Sequence, residues 1–255
     1  MKHDELVSII TPSYNTGAYI AETIKSVLAQ TYTNWEMIIV DDCSTDNTDE
    51  VVTRFSDSRI KYLKNKRNSG AAISRNYALR EAKGKWIAFL DSDDLWLPEK
   101  LEKQIYFMRE NGYSFSYTNY IEIDEQSTPL HKKIGGPKKI GRPLMYAYCW
   151  PGCLTVMYDI KKISLIQIED LKKNNDYAMW IKVIKKERCY RFNEVTAKYR
   201  KRTGSISNHN YIKLIKYHYF LWHDGEKLDC ITALLLTLLN MICGMGKKIF
   251  YTRNY

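Results

Sequence analysis

A glycine-rich phosphate loop is missing from this chain of 255 residues. A first strand-to-helix turn for a dinucleotide needs three closely spaced glycines, whereas Thr11-Pro12-Ser13-Tyr14-Asn15-Thr16-Gly17 has one, and no Gly-x-x-x-x-Gly-Lys sequence occurs. NAD-type and P-loop nucleotide binding are excluded on that ground. Cys-x-x-Cys pairs are missing too. Cys43, Cys149, Cys153, Cys189, Cys230 and Cys243 are scattered, and none stands at zinc-ligand spacing with a histidine. They read as reduced thiols of a cytosolic protein. Met1-Lys2-His3-Asp4-Glu5 leads straight into a short strand with no apolar h-region, so no signal peptide is expected. The longest apolar run, Ile231 to Cys243, falls short of the roughly 20 residues of a membrane span.

What is present is positive charge. Lys and Arg number 39 against 29 Asp and Glu, a formal net charge of +10. That surplus points to an anionic partner, whether nucleic acid, an acidic membrane surface or a phosphorylated substrate, and the sign alone does not choose. With 45% hydrophobic residues the chain has ample material for one α/β domain, with or without a small appendage.

Within this basic background the acids concentrate. In Ala88-Phe89-Leu90-Asp91-Ser92-Asp93-Asp94-Leu95-Trp96-Leu97-Pro98 an apolar run ends in three carboxylates within four residues. Trp86 to Leu90 predicts a buried strand and Pro98-Glu99 opens a helical pattern, so the acids stand at a strand's carboxyl end, where open α/β sheets bind ligands. A helix cap would need only one Asp, and an EF-hand loop counted from Asp91 would put Trp96 where glycine is required. Two carboxylates one residue apart suit a cation that takes one or two protein ligands and completes its shell with phosphates and water, as Mn²⁺ or Mg²⁺ does. The substrate implied is a diphosphate.

The remaining pattern supplies a frame. Strands over Leu6 to Thr11 (closed by Pro12), Trp35 to Val40, Arg59 to Leu63 and from Lys85 alternate with three helices. These run over Ala18 to Gln30, from the Ser44-Thr45-Asp46-Asn47-Thr48 cap to about Phe55, and over Ala71 to Lys83. Such β-then-α units predict a parallel sheet with helices on both faces, and Asp41, Asp42, Asp91 and Asp93 converging on one edge. Next come a helix to about Asn111, a strand over Tyr113 to Ile123, and a loop from Asp124 to Pro143 that is either a mobile segment over a site or plain solvated surface. A strand over Cys153 to Tyr158 precedes a helix from Asn174 with Trp180, Val183 and Ile184 facing inward. Asp176 at its start is either a first-turn helix acid or a functional carboxylate. From His209 the chain turns helical. Ile231 to Cys243, followed by Lys247, Lys248 and Arg253, is either a core helix or an interfacial one facing anionic lipid.

Several ordered motifs together resemble the family 2 glycosyltransferases of bacterial O-antigen, capsule and teichuronic-acid biosynthesis. They are Val7-Ser8-Ile9-Ile10-Thr11-Pro12-Ser13-Tyr14-Asn15, Ile39-Val40-Asp41-Asp42-Cys43-Ser44-Thr45-Asp46, Asn68-x-Gly70 with Ser74-Arg75-Asn76, Asp91-Ser92-Asp93-Asp94, and Asp176-x-x-x-Trp180. Phe115-Ser116-Tyr117-Thr118 and Ala197-x-Tyr199-Arg200-x-Arg202-x-x-Ser205-Ile206-Ser207 extend the likeness. The resemblance implies a GT-A fold, a Rossmann-like and mostly parallel α/β sheet flanked by helices. It implies a catalytic domain over 1–205, with a nucleotide-binding half (1–97) and an acceptor half (98–205), and a helical C-terminal segment over 206–255.

The same resemblance implies that Pro12, Tyr14 and Asp42 hold the uracil of a UDP-sugar, with Asn15 in the same stretch. Asp91 would lie against the nucleoside, Asp93 would ligate Mn²⁺ or Mg²⁺ on the diphosphate, and Asp176 would be the general base. Arg75 either supports phosphates or is a surface helix residue. Relatives often carry Glu-Asp where this chain has Asn175-Asp176. The implied activity is inverting transfer of a hexose, glucose ahead of galactose, to a polyprenyl-diphosphate-linked GlcNAc. It would take place at the cytoplasmic face of the inner membrane. A sugar nucleotidyltransferase is the nearer rival. A nucleic-acid-binding protein explains the charge but not the acids, which would repel a polyanion, so no nucleic acid is expected as a partner.

Overall fold

Seven consecutive residues, Val7–Ser13, are buried on both sides of the chain and form strand β1. A strand so placed is covered by helices on both faces, as a parallel sheet requires. The computed structural model describes residues 5–171, 173–202 and 211–255. After β1 come helix α1 (Ile20–Leu28), β2 (Trp35–Asp41), α2 (Thr48–Thr53), β3 (Ile60–Lys64), α3 (Ala71–Glu81) and β4 (Trp86–Phe89). The strands lie side by side in the order β3-β2-β1-β4, all parallel. The chain winds outward from β1 to β3 and then crosses back to β4, so the ligand-binding switch point of such sheets falls between β1 and β4. β1 does not close at Pro12 as expected but passes through it. Pro12 lies beyond the last β4 pairing, Ile10 opposite Phe89, where β1 has only β2 beside it and a missing N–H is tolerated.

The pleat sorts the core into two. Val7, Ile9, Met37 and Ile39 face one apolar cluster, while Ile10, Ile38, Val40 and Phe89 face the other. Each such side chain, fully buried, contributes roughly 1.5–3 kcal/mol.

The second half continues with β5 (Leu95–Trp96), α4 (Lys100–Glu110), β6 (Phe115–Ile123), β7 (Pro129–Ile134), β8 (Lys139–Ile140), α5 (Arg142–Ala147), β9 (Met157–Asp159), α6 (Ile160–Ile163), α7 (Asn175–Ile184) and β10 (Cys189–Arg200). β9 runs antiparallel to β4 and β6, and β10 parallel to β6. Trp180, Val183 and Ile184 of α7 are buried, as the periodicity predicts. Asp124 to Pro143 is not loop throughout. It holds β7 and β8, and β7 escaped the pattern because four of its six residues are exposed, so no apolar alternation marks it. Cys153 to Tyr158 begins with a tight helical turn over Cys153–Thr155, not strand.

At the C-terminal end α8 (Tyr211–Phe220) runs into a wider turn over Leu221–Gly225. It is followed by α9 (Cys230–Phe250) and β11 (Thr252–Asn254), which pairs antiparallel with β7. The Ser205-Ile206-Ser207 motif, the start at His209 and the boundary at 205/206 lie outside the described residues. Asp229 caps α9 by accepting the N–H groups of Ile231 and Thr232, both at 3.0 Å. The helix is longer than the apolar run Ile231 to Cys243 suggested, because Gly244, Gly246 and both lysines stay within it. It is long and apolar enough to cross a membrane by length and composition. The core alternative fails for its leucines: Leu235 is 61% exposed, and Leu234, Leu238 and Leu239 are exposed as well.

Candidate functional site

The carboxyl ends of β1 and β2 are knitted by their own polar side chains. Asp42 donates its N–H to the Ser13 carbonyl at 2.8 Å, and its buried carboxylate accepts from Asn65 Nδ2 (2.7 Å) and from the N–H groups of Ser69 (2.8 Å) and Gly70 (2.6 Å). Gly70 adopts φ +89°, a conformation that favours glycine, and so turns its N–H onto Asp42 just ahead of α3. Asp41 is held by Ser44, whose hydroxyl and N–H both donate to it. Asn15, at φ +50°, donates its N–H to Ser44 Oγ (2.9 Å) and accepts from the Thr45 N–H (2.8 Å). Beside these, Pro12 is buried and Tyr14 is 46% exposed, so the ring stands at the mouth of the edge.

Beyond β4 the acids meet arginines. Asp91 pairs with Arg75 of α3 at 2.5 Å, and the other arm of that guanidinium donates to Asn175 Oδ1 at 2.7 Å. Arg75 is buried, so the surface-helix alternative is overturned. Burial opposes its charge, but Asp91, the Cys153 thiol and Asp176 hold it charged, above its usual range. Asp176 thus lies within electrostatic reach of both Arg75 and Asp91. Burial pushes the Asp176 carboxyl up from its ordinary value; Arg75 and the Tyr177 N–H, donated at 2.8 Å, restrain the shift, and Asp91 adds to it.

Asp93 is raised by burial, which its ion pair with Arg202 Nε at 2.8 Å opposes and neighbouring Asp91 reinforces. Asp94 is pushed well above its usual range by burial and by Asp93 and Asp91, and it accepts the Arg200 N–H at 2.8 Å. Arg200 is the tie that positions this turn. Its buried guanidinium donates to the Asp93 carbonyl (2.7 Å), Ser127 Oγ (2.9 Å) and Glu22 Oε2 (2.8 Å), joining the acidic turn to α1 and to the β6–β7 connection. The roles of Arg200 and Arg202 do not follow from the motif that contains them, because they depend on β10 lying beside β5 and β6. The alternation Val195, Ala197, Tyr199 was the available signal.

Asp91 and Asp93 supply hard oxygen donors of the kind Mn²⁺ and Mg²⁺ accept. Among the described residues, no group of three or more His, Cys, Asp or Glu side chains could hold a metal ion. The donor set thus fits a cation shared with a diphosphate and does not fit one caged by protein alone.

The chain has known relatives. The family model described as Glycosyl transferase family 2 matches residues 8–160. The chain is 41% identical over 254 residues to the Escherichia coli UDP-Glc:alpha-D-GlcNAc-diphosphoundecaprenol beta-1,3-glucosyltransferase WfgD, covering 98% of each. It is 42% identical over 231 residues to TuaG of Bacillus subtilis (strain 168), a glycosyltransferase named for teichuronic acid biosynthesis, covering 89% of this chain and 91% of that one. Among solved structures, S. aureus TarS 1-349 in complex with UDP-GlcNAc superposes with a TM-score of 0.70 at 21% identity, covering 91% of this chain and 70% of that one. That likeness bears on the fold, which is of the GT-A kind.

Proposed function

This chain belongs to glycosyl transferase family 2, and from that premise we propose that it moves a hexose from a UDP-sugar to a polyprenyl-diphosphate-linked GlcNAc with inversion. Glucose is the favoured hexose, galactose the next. The setting is O-antigen, capsule or teichuronic-acid assembly at the cytoplasmic face of a bacterial inner membrane, with the enzyme held peripherally. The observation that carries the reading is the buried Arg75, which pairs with Asp91 just past β4 and donates to Asn175, the chain neighbour of Asp176. In support, WfgD, alike over 98% of both chains, is named for a transfer of this kind.

In this reading residues 1–97 hold the nucleotide and 98–205 the acceptor. Pro12, Tyr14, Asn15 and Asp42 take the uracil, and Asp91 lies toward the nucleoside. Asp93 would hold Mn²⁺ or Mg²⁺ on the diphosphate, which would stabilise the charge gathering on the UDP leaving group. Asp176 takes the proton from the acceptor hydroxyl as the new bond forms at the anomeric carbon. Its raised affinity for a proton suits that task, and Arg75 restrains the rise. No second carboxylate serves as a covalent nucleophile, so the displacement is direct and an α-linked donor yields a β-linkage. Asn175, where relatives often have Glu, leaves Arg75 one carboxylate fewer to neutralise.

The test is a panel of radiolabelled UDP-sugars with a synthetic lipid-diphosphate GlcNAc acceptor and Mn²⁺ or Mg²⁺. Transfer from UDP-glucose is expected. No transfer from any UDP-sugar removes the reading.

A further inference from the structure

We propose that α9 lies flat in the surface of an anionic lipid bilayer, on the side of the molecule that carries Asp176. The inference rests on the reading of a polyprenyl-borne acceptor. α9 has two unlike flanks. Ile231, Leu235, Ile242 and Ile249 are 72%, 61%, 62% and 71% exposed, and no Asp or Glu interrupts Cys230–Phe250. The other flank is seated in protein along its length. Ala233, Thr237 and Asn240 are buried, a Cβ on Gly244 would meet the Tyr148 ring at 3.0 Å, and Lys247 donates to the Trp150 carbonyl at 2.9 Å. A helix gripped this way from end to end cannot turn to cross a bilayer without tearing from its own domain. Its orientation follows from that grip, although its length would suit a span.

Charge selects lipid as the occupant. The exposed Lys248 stands at the helix end, and β11 then sets Arg253 opposite Lys133 and Asn254 opposite the exposed Lys132 on the sheet edge. The apolar flank thus runs into a basic strip, the pairing that an anionic headgroup layer over acyl chains complements. A second copy would bring the same positive strip.

The buried flank, opposite the lipid-facing one, packs against the catalytic half. Asn240 Nδ2 contacts the Tyr177 hydroxyl at 3.3 Å, and Tyr177 follows Asp176, whose carboxylate accepts its N–H. The Cys149 thiol is within electrostatic reach of both Asp176 and Lys247. Docking through α9 would bring a lipid-borne diphosphate to the base without lifting the acceptor out of the membrane.

Flotation of the full chain with vesicles of phosphatidylglycerol and phosphatidylcholine, or of phosphatidylcholine alone, tests this beside transfer assays on a vesicle-embedded and a water-soluble short-chain acceptor. The wild type should float with the anionic vesicles and be released by salt. Leu235→Glu with Ile242→Glu should cut the bound fraction at least tenfold and transfer to the embedded acceptor in parallel, with the soluble acceptor turned over within twofold of wild type. Lys132→Ala and Arg253→Ala should each weaken binding about fivefold. Failure of the wild type to float, unchanged flotation of the double variant, or a stable dimer dissolved by the same substitutions would overturn the proposal. Flotation without transfer to either acceptor would instead remove the functional reading and leave the docking intact.

Discussion

Asp176 and Asp93 should fail in different ways when changed, and the difference separates base from binder. Asp176→Asn is expected to leave UDP affinity within about twofold while lowering turnover by roughly 10²–10⁴, the range of a lost general base. Near wild-type turnover would demote Asp176 to a first-turn helix acid. Asp93→Ala should abolish the Mn²⁺-dependent part of UDP binding in calorimetry, because a cation shared with the diphosphate loses its protein ligand. Burial raises the Asp176 carboxyl and Arg75 pulls it down, so the acid limb of turnover should lie above the ordinary carboxylate range. In Arg75→Met it should move higher still, since removing a cation favours the protonated form. An acid limb that stays put or falls in that variant would contradict the pairing. Asp41, Asp42, Asp91 and Asp93 were legible because carboxylates at the end of buried strands have no core role. The bond from Arg75 to Asn175 was not legible, since it joins residues 100 apart in sequence.

Two strands carry little apolar alternation in their sequences. β7 faces water and shows no period-two apolar signal, while in β10 the exposed Asn193 and Glu194 interrupt it and leave only the short alternation Val195, Ala197, Tyr199. β10 nonetheless delivers Arg200, whose guanidinium is fully buried. Arg200→Leu should cost about 1–3 kcal/mol in urea unfolding, because the Asp93 carbonyl is left without its donor, whereas the half-exposed Glu22 is rehydrated. α8 rests on α7 through His218, which lies edge-on to Tyr177 and 3.4 Å from Asn174 Nδ2. Burial lowers the His218 pKa from 6.5 to about 4. Between those values the unfolded chain binds a proton that the folded chain refuses. Stability should therefore fall as pH drops from 6.5 toward 4, by about 3 kcal/mol at full extent. His218→Gln should flatten that slope in thermal melts taken across the range; an unchanged slope would assign the acid sensitivity elsewhere.

At the scale of the whole molecule, the helical C-terminal segment pairs and packs with the rest of the chain. Deleting the residues after Gly225 would strip β11 from β7, remove Ala233 from the larger core and expose the Tyr177 hydroxyl. Such a truncation is expected to melt well below the full chain by calorimetry, whereas the α9 surface substitutions should melt within a few degrees of it. Sequence alone determined the first four strands, the helices between them and the edge where the carboxylates gather, because apolar period and turn chemistry are local properties that need no partner. Only the tertiary structure decided which cation faces which acid, since Arg75 and Arg202 reach Asp91 and Asp93 through the sheet order. It alone also decided that the apolar face of α9 points outward: composition records how much apolar surface a helix carries, and packing decides which part of it stays uncovered.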